Sequence, residues 1–295
     1  MYFCSGIFHK KLGFRRTART RNARIRPLVT SQDGGARKLN TKANSTGGKK
    51  LPGQNPKRTD PRGTRVENLI LSQIPDPEYN LIRPYLESIE TQDYEILHEP
   101  GERLDYAYFP NRGMISVVVE ISDSRTLEVG VITKKGFAGE ALTADQHTCP
   151  YKLICQPAVE AFQIEADALR KVLHTAPDLR FRLDRYVHFQ SLRTAQIAAC
   201  NRFHEIEQRL ARWLLMSQDR VASPMLPFTH EFLATTLGTG RASVSVAAGI
   251  LQKAGAIQYR RGALKVTNRK KLEEAACECY GAIKEFEVAS EREAS

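Results

Sequence analysis

Cysteine is scarce in this sequence, and it contains no long apolar run. Six Cys in 295 residues cannot form the framework of a disulfide-rich scaffold. No segment approaches the roughly 18 consecutive apolar residues that cross a bilayer. No apolar h-region marks a secretory signal peptide either. The sequence therefore predicts a cytoplasmic chain without a membrane partner.

The sequence also lacks the common signatures of enzymes. It contains no Gly-Lys-Ser/Thr phosphate loop, no His-Glu-x-x-His zinc site and no Gly-x-Ser-x-Gly elbow. Cys277 and Cys279 have the spacing of a metal-binding pair, but residues i and i+2 of a helix point apart. We predict that the chain is not an enzyme and holds no cofactor or metal. A metal or redox sensor built on its Cys and His residues is the alternative.

Positive charge is concentrated near the N-terminus. Residues 1–65 contain 17 Lys and Arg but only two acids, whereas residues 66–295 contain 27 Lys and Arg against 31 acids. The first segment has almost no apolar clusters, so it cannot bury enough surface to offset the entropy of ordering. It predicts a disordered basic tail. The high net charge of the whole chain is therefore no argument for nucleic-acid binding.

Residues 66–174 are predicted to form a β-rich domain. Helical spacing over 66–90 is followed by strand-like runs at 114–121, 127–132 and 158–164. Gly, Asn, Asp and Ser turns separate these runs. Short strands at regular spacing indicate a barrel or a sandwich.

A long helix is predicted over residues 175–201. The Thr175 hydroxyl would cap its start, and no Gly or Pro interrupts the segment from 179 onward. Six residues recur along it at intervals of four and three, as in a coiled-coil seam with two polar members: Leu179, Leu183, Tyr186, Gln190, Arg193 and Ile197. We expect this seam to pair with a second copy of the chain. The alternative is a helix that packs on its own barrel.

Residues 202–286 are predicted to form a second domain, followed by a short tail at 287–295. Segment 228–271 has eight Lys and Arg against one acid, Glu231. Within it, Ala234, Gly238 and Val244 have the spacing of a helix-turn-helix. A predicted β-hairpin follows as a wing. Such a local excess of positive charge favours binding to a DNA backbone.

Two sets of residues are candidates for DNA contact. Residues of the second helix that turn away from the helix-turn-helix core would enter the major groove: Thr239, Gly240, Arg241, Ala242, Ser243, Ser245 and Val246. The Arg241 guanidinium can donate two hydrogen bonds to a guanine. In the wing, Arg260, Arg261 and Lys265 would contact phosphates.

A β-rich domain, a long helix and a helix-turn-helix with a wing follow one another in the chain. In this order of domains the chain resembles the Crp/Fnr family of bacterial transcription regulators. The resemblance covers about residues 66–286 and is most specific at 231–234, Gly238, Arg241, Val244 and 251–262. It implies an α+β fold with an N-terminal β-roll of the cyclic-nucleotide-binding type, a long dimerisation helix and a C-terminal winged helix-turn-helix domain. The implied partners are double-stranded DNA at a two-fold symmetric site, a second copy of the chain and RNA polymerase.

The resemblance also places an effector pocket in the β-roll, at Gly139, Glu140 and Thr194. Members that bind cyclic AMP have Gly-Glu followed about ten residues later by an Arg. The guanidinium of that Arg donates two parallel hydrogen bonds to the cyclic phosphate. Here residues 148–151 are Thr-Cys-Pro-Tyr and contain no Arg. Lys152 follows them, but its ammonium is a point charge and lacks the two parallel donors of a guanidinium.

We therefore predict a dimeric, sequence-specific DNA-binding regulator whose effector is unknown and is not cyclic AMP. The alternative is a small-molecule or nucleotide-sensing module that acts through protein partners. Such a module would bind a ligand but would respond to DNA weakly and without salt dependence.

Overall fold

The structure, a computed structural model, describes residues 58–121, 126–221, 225–226, 228–260 and 263–292. Most of the predicted basic tail lies outside these residues. Arg58 is only 7% exposed and donates to the backbone carbonyls of Leu71 at 2.7 Å and Ile74 at 2.5 Å. The predicted boundary at residue 65 is therefore wrong, because ordered structure includes residues 58–65. No helix among the described residues is both long and apolar enough to cross a membrane.

Two short helices lead into the β-rich domain. The first, α1 (Leu69–Gln73), is capped by the Asn68 side chain, which accepts hydrogen bonds from two backbone N–H groups. The second, α2 (Asp76–Ile82), starts directly after Pro75 and is followed by a 3-10 turn, Arg83–Tyr85. The predicted helical spacing is thus confirmed up to residue 85, after which the chain becomes a strand.

Seven strands of the described residues form a β-roll: β1 (Glu87–Glu90), β2 (Ile96–His98), β3 (Tyr106–Arg112), β4 (Ile115–Glu120), β5 (Thr126–Ile132), β6 (Lys152–Cys155) and β7 (Glu160–Glu165). They pair in two antiparallel sheets, with the orders β1-β7-β3 and β2-β6-β4-β5. The predicted strand-like runs correspond to β4, β5 and β7. The short strands β1, β2 and β6 show no alternation that a sequence pattern could detect.

The long helix packs on this roll. After α3 (Ala166–Leu173), α4 runs over Pro177–Phe203 and contributes Leu179 and Leu183, both fully buried, to the same core as Phe109 and Phe162. Tyr186 also faces inward, with its ring 5.6 Å from that of Phe137. The predicted dimer seam is therefore wrong for Leu179, Leu183 and Tyr186, because these side chains contact their own chain.

The start of α4 is capped from a distant part of the sequence. The Thr175 hydroxyl donates to the Val172 carbonyl at 3.2 Å, so it does not cap α4 as predicted. The Glu78 carboxylate of α2 accepts the backbone N–H groups of Asp178 at 3.1 Å and Leu179 at 2.8 Å. A negative charge at this end stabilises the helix dipole.

The second domain begins directly after α4. Its helices surround a core that includes Trp213, Leu214 and Leu233, and its three strands pair in the order β8-β10-β9. The predicted α+β architecture, with a β-roll, a long helix and a winged helix-turn-helix, is confirmed. Its elements are α5 (Ile206–Val221), β8 (Met225–Leu226), α6 (His230–Leu237), α7 (Arg241–Lys253), β9 (Ile257–Arg260), β10 (Ala263–Val266), α8 (Arg269–Ala275) and α9 (Cys279–Arg292).

The last helix returns to the long helix. α9 packs against α4, and the Cys279 sulfur accepts a hydrogen bond from Gln196 at 3.1 Å. Glu287 pairs with Lys135 at 2.9 Å. The predicted C-terminal tail at 287–295 is therefore wrong as far as Arg292, because α9 continues to that residue.

Candidate nucleic-acid interface

Local sequence signals build the helix-turn-helix. Thr229 caps α6 by accepting the backbone N–H of Phe232 at 3.1 Å. Gly238 ends α6 with a φ of 59°, in the left-handed region that favours glycine. Three residues later α7 starts at Arg241, with Gly240 at its N-cap. The predicted helices, turn and cap all lie where the sequence placed them.

One side of α7 holds the two helices together. Val244 and Ala247 are fully buried, and Leu251 is 1% exposed. They pack in one core with Ala234 and Leu237 of α6. This fixes the rotation of α7 about its own axis and determines which residues face solvent.

The opposite side of α7 is exposed. The structure places five of the seven predicted recognition residues there, namely Arg241, Ala242, Ser243, Ser245 and Val246, of which Val246 is 64% exposed. Gly240 is also exposed, and Thr239 is partly buried in the turn. Ile250, 45% exposed on the same helix, was not predicted.

Ser245 is already engaged within the domain. Its hydroxyl donates to the Arg241 carbonyl at 3.0 Å, so its oxygen can accept a hydrogen bond from His230 Nδ1, also 3.0 Å away. The His230 ring lies 4.1 Å from the ring of Tyr259 in the wing. His230 therefore links α6, α7 and the wing. No periodic pattern in the sequence predicts this role, because the three elements meet only in the folded domain.

Burial and a neighbouring cation act on His230. Desolvation, followed by the positive charge of Arg241, lowers the pKa of the imidazole. The ring is therefore held in its neutral form over a wider pH range than a free histidine. A neutral ring with a proton on Nδ1 suits the hydrogen bond to Ser245.

The wing carries part of the positive charge. β9 pairs with β10 in antiparallel register, and Lys265 on β10 is exposed. Arg260 ends β9, while Arg261 lies outside the described residues.

Two of the eight basic residues of 228–271 are used inside the domain. Arg269 contacts Asp219 at 2.8 Å and Glu273 at 2.9 Å, and Lys271 donates to the Ala254 carbonyl at 3.0 Å. They stabilise the domain, so fewer cations than the sequence suggested are available to phosphates.

The predicted effector residues lie on separate elements of the sensor domain. Gly139, with a φ of 111°, and Glu140 start a 3-10 turn that ends at Ala144. The Glu140 carboxylate accepts the backbone N–H of Gly139 at 3.3 Å. Thr194 is exposed on α4. Lys152, the cation that directly follows residues 148–151, pairs with Glu99 at 3.1 Å and with Glu120 at 3.7 Å.

Two family models match the chain. Residues 89–176 match the cyclic nucleotide-binding domain. Residues 208–275 match the Crp-like helix-turn-helix domain, which includes α6, α7 and the wing. A comparison with curated protein sequences gave no significant match.

Solved structures of regulators share this fold. The c-di-GMP responsive global regulator CLP of Xanthomonas campestris is 19% identical, with a TM-score of 0.58 over 65% of this chain and 99% of that chain. A CRP-family transcriptional regulator from Thermus thermophilus is 22% identical, with a TM-score of 0.56 over 64% of this chain and 96% of that chain. FixK2 from Bradyrhizobium japonicum is 14% identical, with a TM-score of 0.54 over 65% of this chain and 98% of that chain. At these identities the likeness shows a shared fold.

Proposed function

The chain belongs to the Crp/Fnr family of transcription regulators, and on that premise we propose that it is a dimeric, sequence-specific DNA-binding regulator. The family is one of transcription regulators, which are not enzymes. The recognition helix is α7, and the wing contacts the flanking phosphates. RNA polymerase is the further partner that a regulator of this type requires.

The observation that supports this function best is the two-sided character of α7. Its inner side is locked in the domain core by Val244, Ala247 and Leu251, while its N-terminal outer side is exposed. A helix-turn-helix presents the N-terminal residues of its second helix to base edges. Arg241 is the first residue of α7 and has the bidentate donor geometry that guanine accepts.

An exposed apolar surface on α4 is available for contact with a second copy of the chain. With Leu179 and Leu183 buried, the exposed side carries Phe181 and Leu192, which are 53% and 37% exposed. His188, Ala195 and Ala199 continue the same row, and the small alanines would allow two helices to approach closely. We place the dimer contact on this side of α4, which would set two half-sites about 34–36 Å apart.

The effector is proposed to be something other than cyclic AMP. A cyclic phosphate needs a cation with two donors directed at it. The expected Arg is missing from residues 148–151, and Lys152 is paired with two carboxylates. The signal, whatever its chemistry, would reach α7 through α4 and the contact between the β-roll and the second domain.

The test is selection of DNA by the full chain from a random library, at two salt concentrations. We expect a two-fold symmetric motif. Arg241→Ala should then lose discrimination at a single base pair of each half-site, by about 1–3 kcal/mol. Arg180→Ala, which removes an exposed Arg from α4, is the matched control. If no sequence is enriched, with or without cyclic nucleotides, the module that acts through protein partners is the better description.

The wing is tested by the salt dependence of binding. Arg260→Ala and Arg261→Ala should each weaken binding to all sequences about equally. Each should also reduce the slope of log K against log salt by about 0.9. A loss confined to particular bases would contradict the phosphate role.

A further inference from the structure

Three cysteines and a histidine meet where α4 joins the second domain. Cys200 and His204 lie one turn apart at the end of α4, while Cys277 and Cys279 flank the start of α9. The Cys200 and Cys277 sulfurs are 3.5 Å apart, and the Cys279 sulfur is 3.6 Å from His204 Nδ1. All four donor atoms lie within 4.8 Å of one another.

This arrangement corrects the prediction that Cys277 and Cys279 point apart. That prediction assumed that both residues are in a helix. α8 ends at Ala275 and α9 begins at Cys279, so Cys277 lies in the connection between them. The backbone there is free to direct both sulfurs to the same point. Their partners are almost 80 residues earlier in the chain and could not be identified from local spacing.

We propose that Cys200, His204, Cys277 and Cys279 bind a zinc ion. Zn²⁺ binds thiolate sulfur at about 2.3 Å and imidazole nitrogen at about 2.0–2.1 Å in a tetrahedron, which puts neighbouring donors about 3.5–3.8 Å apart. The contacts of Cys200 with Cys277 at 3.5 Å and of Cys279 with His204 at 3.6 Å already have this spacing. Three Cys and one His form a common set of structural zinc ligands. A cluster of several irons is larger than one ion and would need donors further apart.

The neighbours of the four side chains suit a metal site. His204 Nε2 lies 3.1 Å from the Glu278 carboxylate, which places a proton on Nε2 and leaves the lone pair of Nδ1 directed at the thiols. Gln196 donates to the Cys279 sulfur at 3.1 Å. Ordinary buried cysteines need neither arrangement, since they behave as small apolar side chains.

The charge around the cluster is favourable as well. A zinc ion with three thiolates and a neutral imidazole carries one net negative charge. Arg209 and Arg212 of α5 place positive charge near the Cys200 sulfur, and Arg212 is only 3% exposed. Positive charge at this position offsets the cost of burying the negative site.

A disulfide explains less of the geometry. A bond between Cys200 and Cys277 would need their sulfurs to approach from 3.5 Å to about 2.05 Å and would require an oxidant. It would also leave Cys279, His204 and Glu278 without a role. The four-ligand site accounts for all of them.

The position of the site suggests its consequence. His204 is the C-cap of α4 and has an extended backbone, and α5 begins two residues later. Bound zinc would hold α9 against the connection between α4 and α5. It would thereby fix the orientation of the second domain relative to α4. The metal site itself does not rest on the proposed function, but any effect on DNA binding does.

The first experiment measures metal in the full chain, purified under reducing conditions without chelator. We expect one zinc ion per chain by mass spectrometry, released when a mercurial blocks the thiols. Cys279→Ser should lose the zinc, while Cys149→Ala, which removes a buried thiol from the β-roll, should keep it. A metal-free chain, or iron with acid-labile sulfide in place of zinc, would overturn the proposal, as would zinc that persists in Cys279→Ser.

A second variant avoids the risk that loss of a ligand unfolds the chain. Glu278 is exposed, so Glu278→Gln should fold, yet it should weaken zinc affinity about 10–100-fold in competition with a chromogenic chelator. Glu274→Gln, a nearby exposed acid, is the control. Cobalt added to the zinc-free chain should give the visible spectrum of a tetrahedral thiolate site. Equal zinc affinities in the two variants, together with an octahedral cobalt spectrum, would refute the assignment.

Discussion

The indole N–H of Trp213 donates to the Glu128 carboxylate at 3.0 Å, across the contact between the second domain and the β-roll. Glu128 on β5 also accepts the Ser116 hydroxyl at 2.8 Å. The Trp213 ring packs edge-on against Phe228, with the centroids 4.9 Å apart, just before α6 begins. Any rotation of the whole second domain away from the roll must break this hydrogen bond, because Trp213 is on α5 of that domain. The chain has a single Trp, so its fluorescence reports on this contact.

Removal of the indole donor should weaken the contact. Trp213→Phe keeps an aromatic ring but leaves the partly buried Glu128 carboxylate with one partner fewer, which should cost about 1–3 kcal/mol of unfolding free energy. Urea unfolding followed by circular dichroism measures it. The effect should be smaller when Glu128→Gln is already present, because an amide is less costly to bury than a carboxylate. Strictly additive losses in the double variant would contradict this coupling.

Two glycines of the helix-turn-helix should respond to alanine in opposite directions. Gly238 has a φ of 59°, and an added Cβ would lie 2.8 Å from a methyl group of Leu127. Gly238→Ala should therefore lower the free energy of unfolding by about 1–2 kcal/mol. Gly249 is inside α7 and has open space around it. Gly249→Ala should therefore raise the free energy of unfolding by up to about 1 kcal/mol. The same urea titration compares them, and equal effects would show that the turn does not require glycine.

The helix-turn-helix could be predicted from the sequence because its signals are local. Thr229 caps a helix that starts one residue later, and Gly238 ends that helix. Hydrogen bonds and backbone conformations within a few residues determine both features. The β-strands that alternate over six or more residues could be predicted for the same reason.

The features that were missed depend on residues far apart in the chain. Glu78 accepts a hydrogen bond from the backbone of Asp178, 100 residues later, and Cys200 meets Cys277, 77 residues later. Helical periodicity showed that Leu179 and Leu183 share one face of α4. It could not show whether that face packs on the β-roll or on a second chain. Burial in the fold shows that this face packs on the β-roll, and the opposite face is the one on which we propose the dimer contact.

A charge placed on the exposed side of α4 should separate the dimer. Leu192 is 37% exposed in the middle of the apolar row, so Leu192→Arg would put a cation against its own symmetry mate. We expect a monomer by sedimentation equilibrium at concentrations where the unchanged chain is dimeric. Ile121→Arg, which changes a 47% exposed apolar residue of the β-roll, should leave the dimer intact. A dimer of unaltered affinity in Leu192→Arg would place the contact elsewhere.

The depressed pKa of His230 makes the helix-turn-helix sensitive to acid. Burial and then Arg241 lower the pKa, so the folded chain binds this proton less readily than the unfolded chain, whose histidines titrate near 6.5. The contribution of neutral His230 to the free energy of unfolding is fully present above about pH 6.5. It is lost as the pH falls through the lower pKa of the folded state. His230→Gln removes the titrating group, so its unfolding free energy should fall less than that of the unchanged chain between pH 7.5 and pH 5.5. His174→Gln, which changes an exposed histidine at the end of α3, should follow the unchanged chain. If His230→Gln and His174→Gln lose stability in parallel, protonation of His230 does not weaken the link between α6, α7 and the wing.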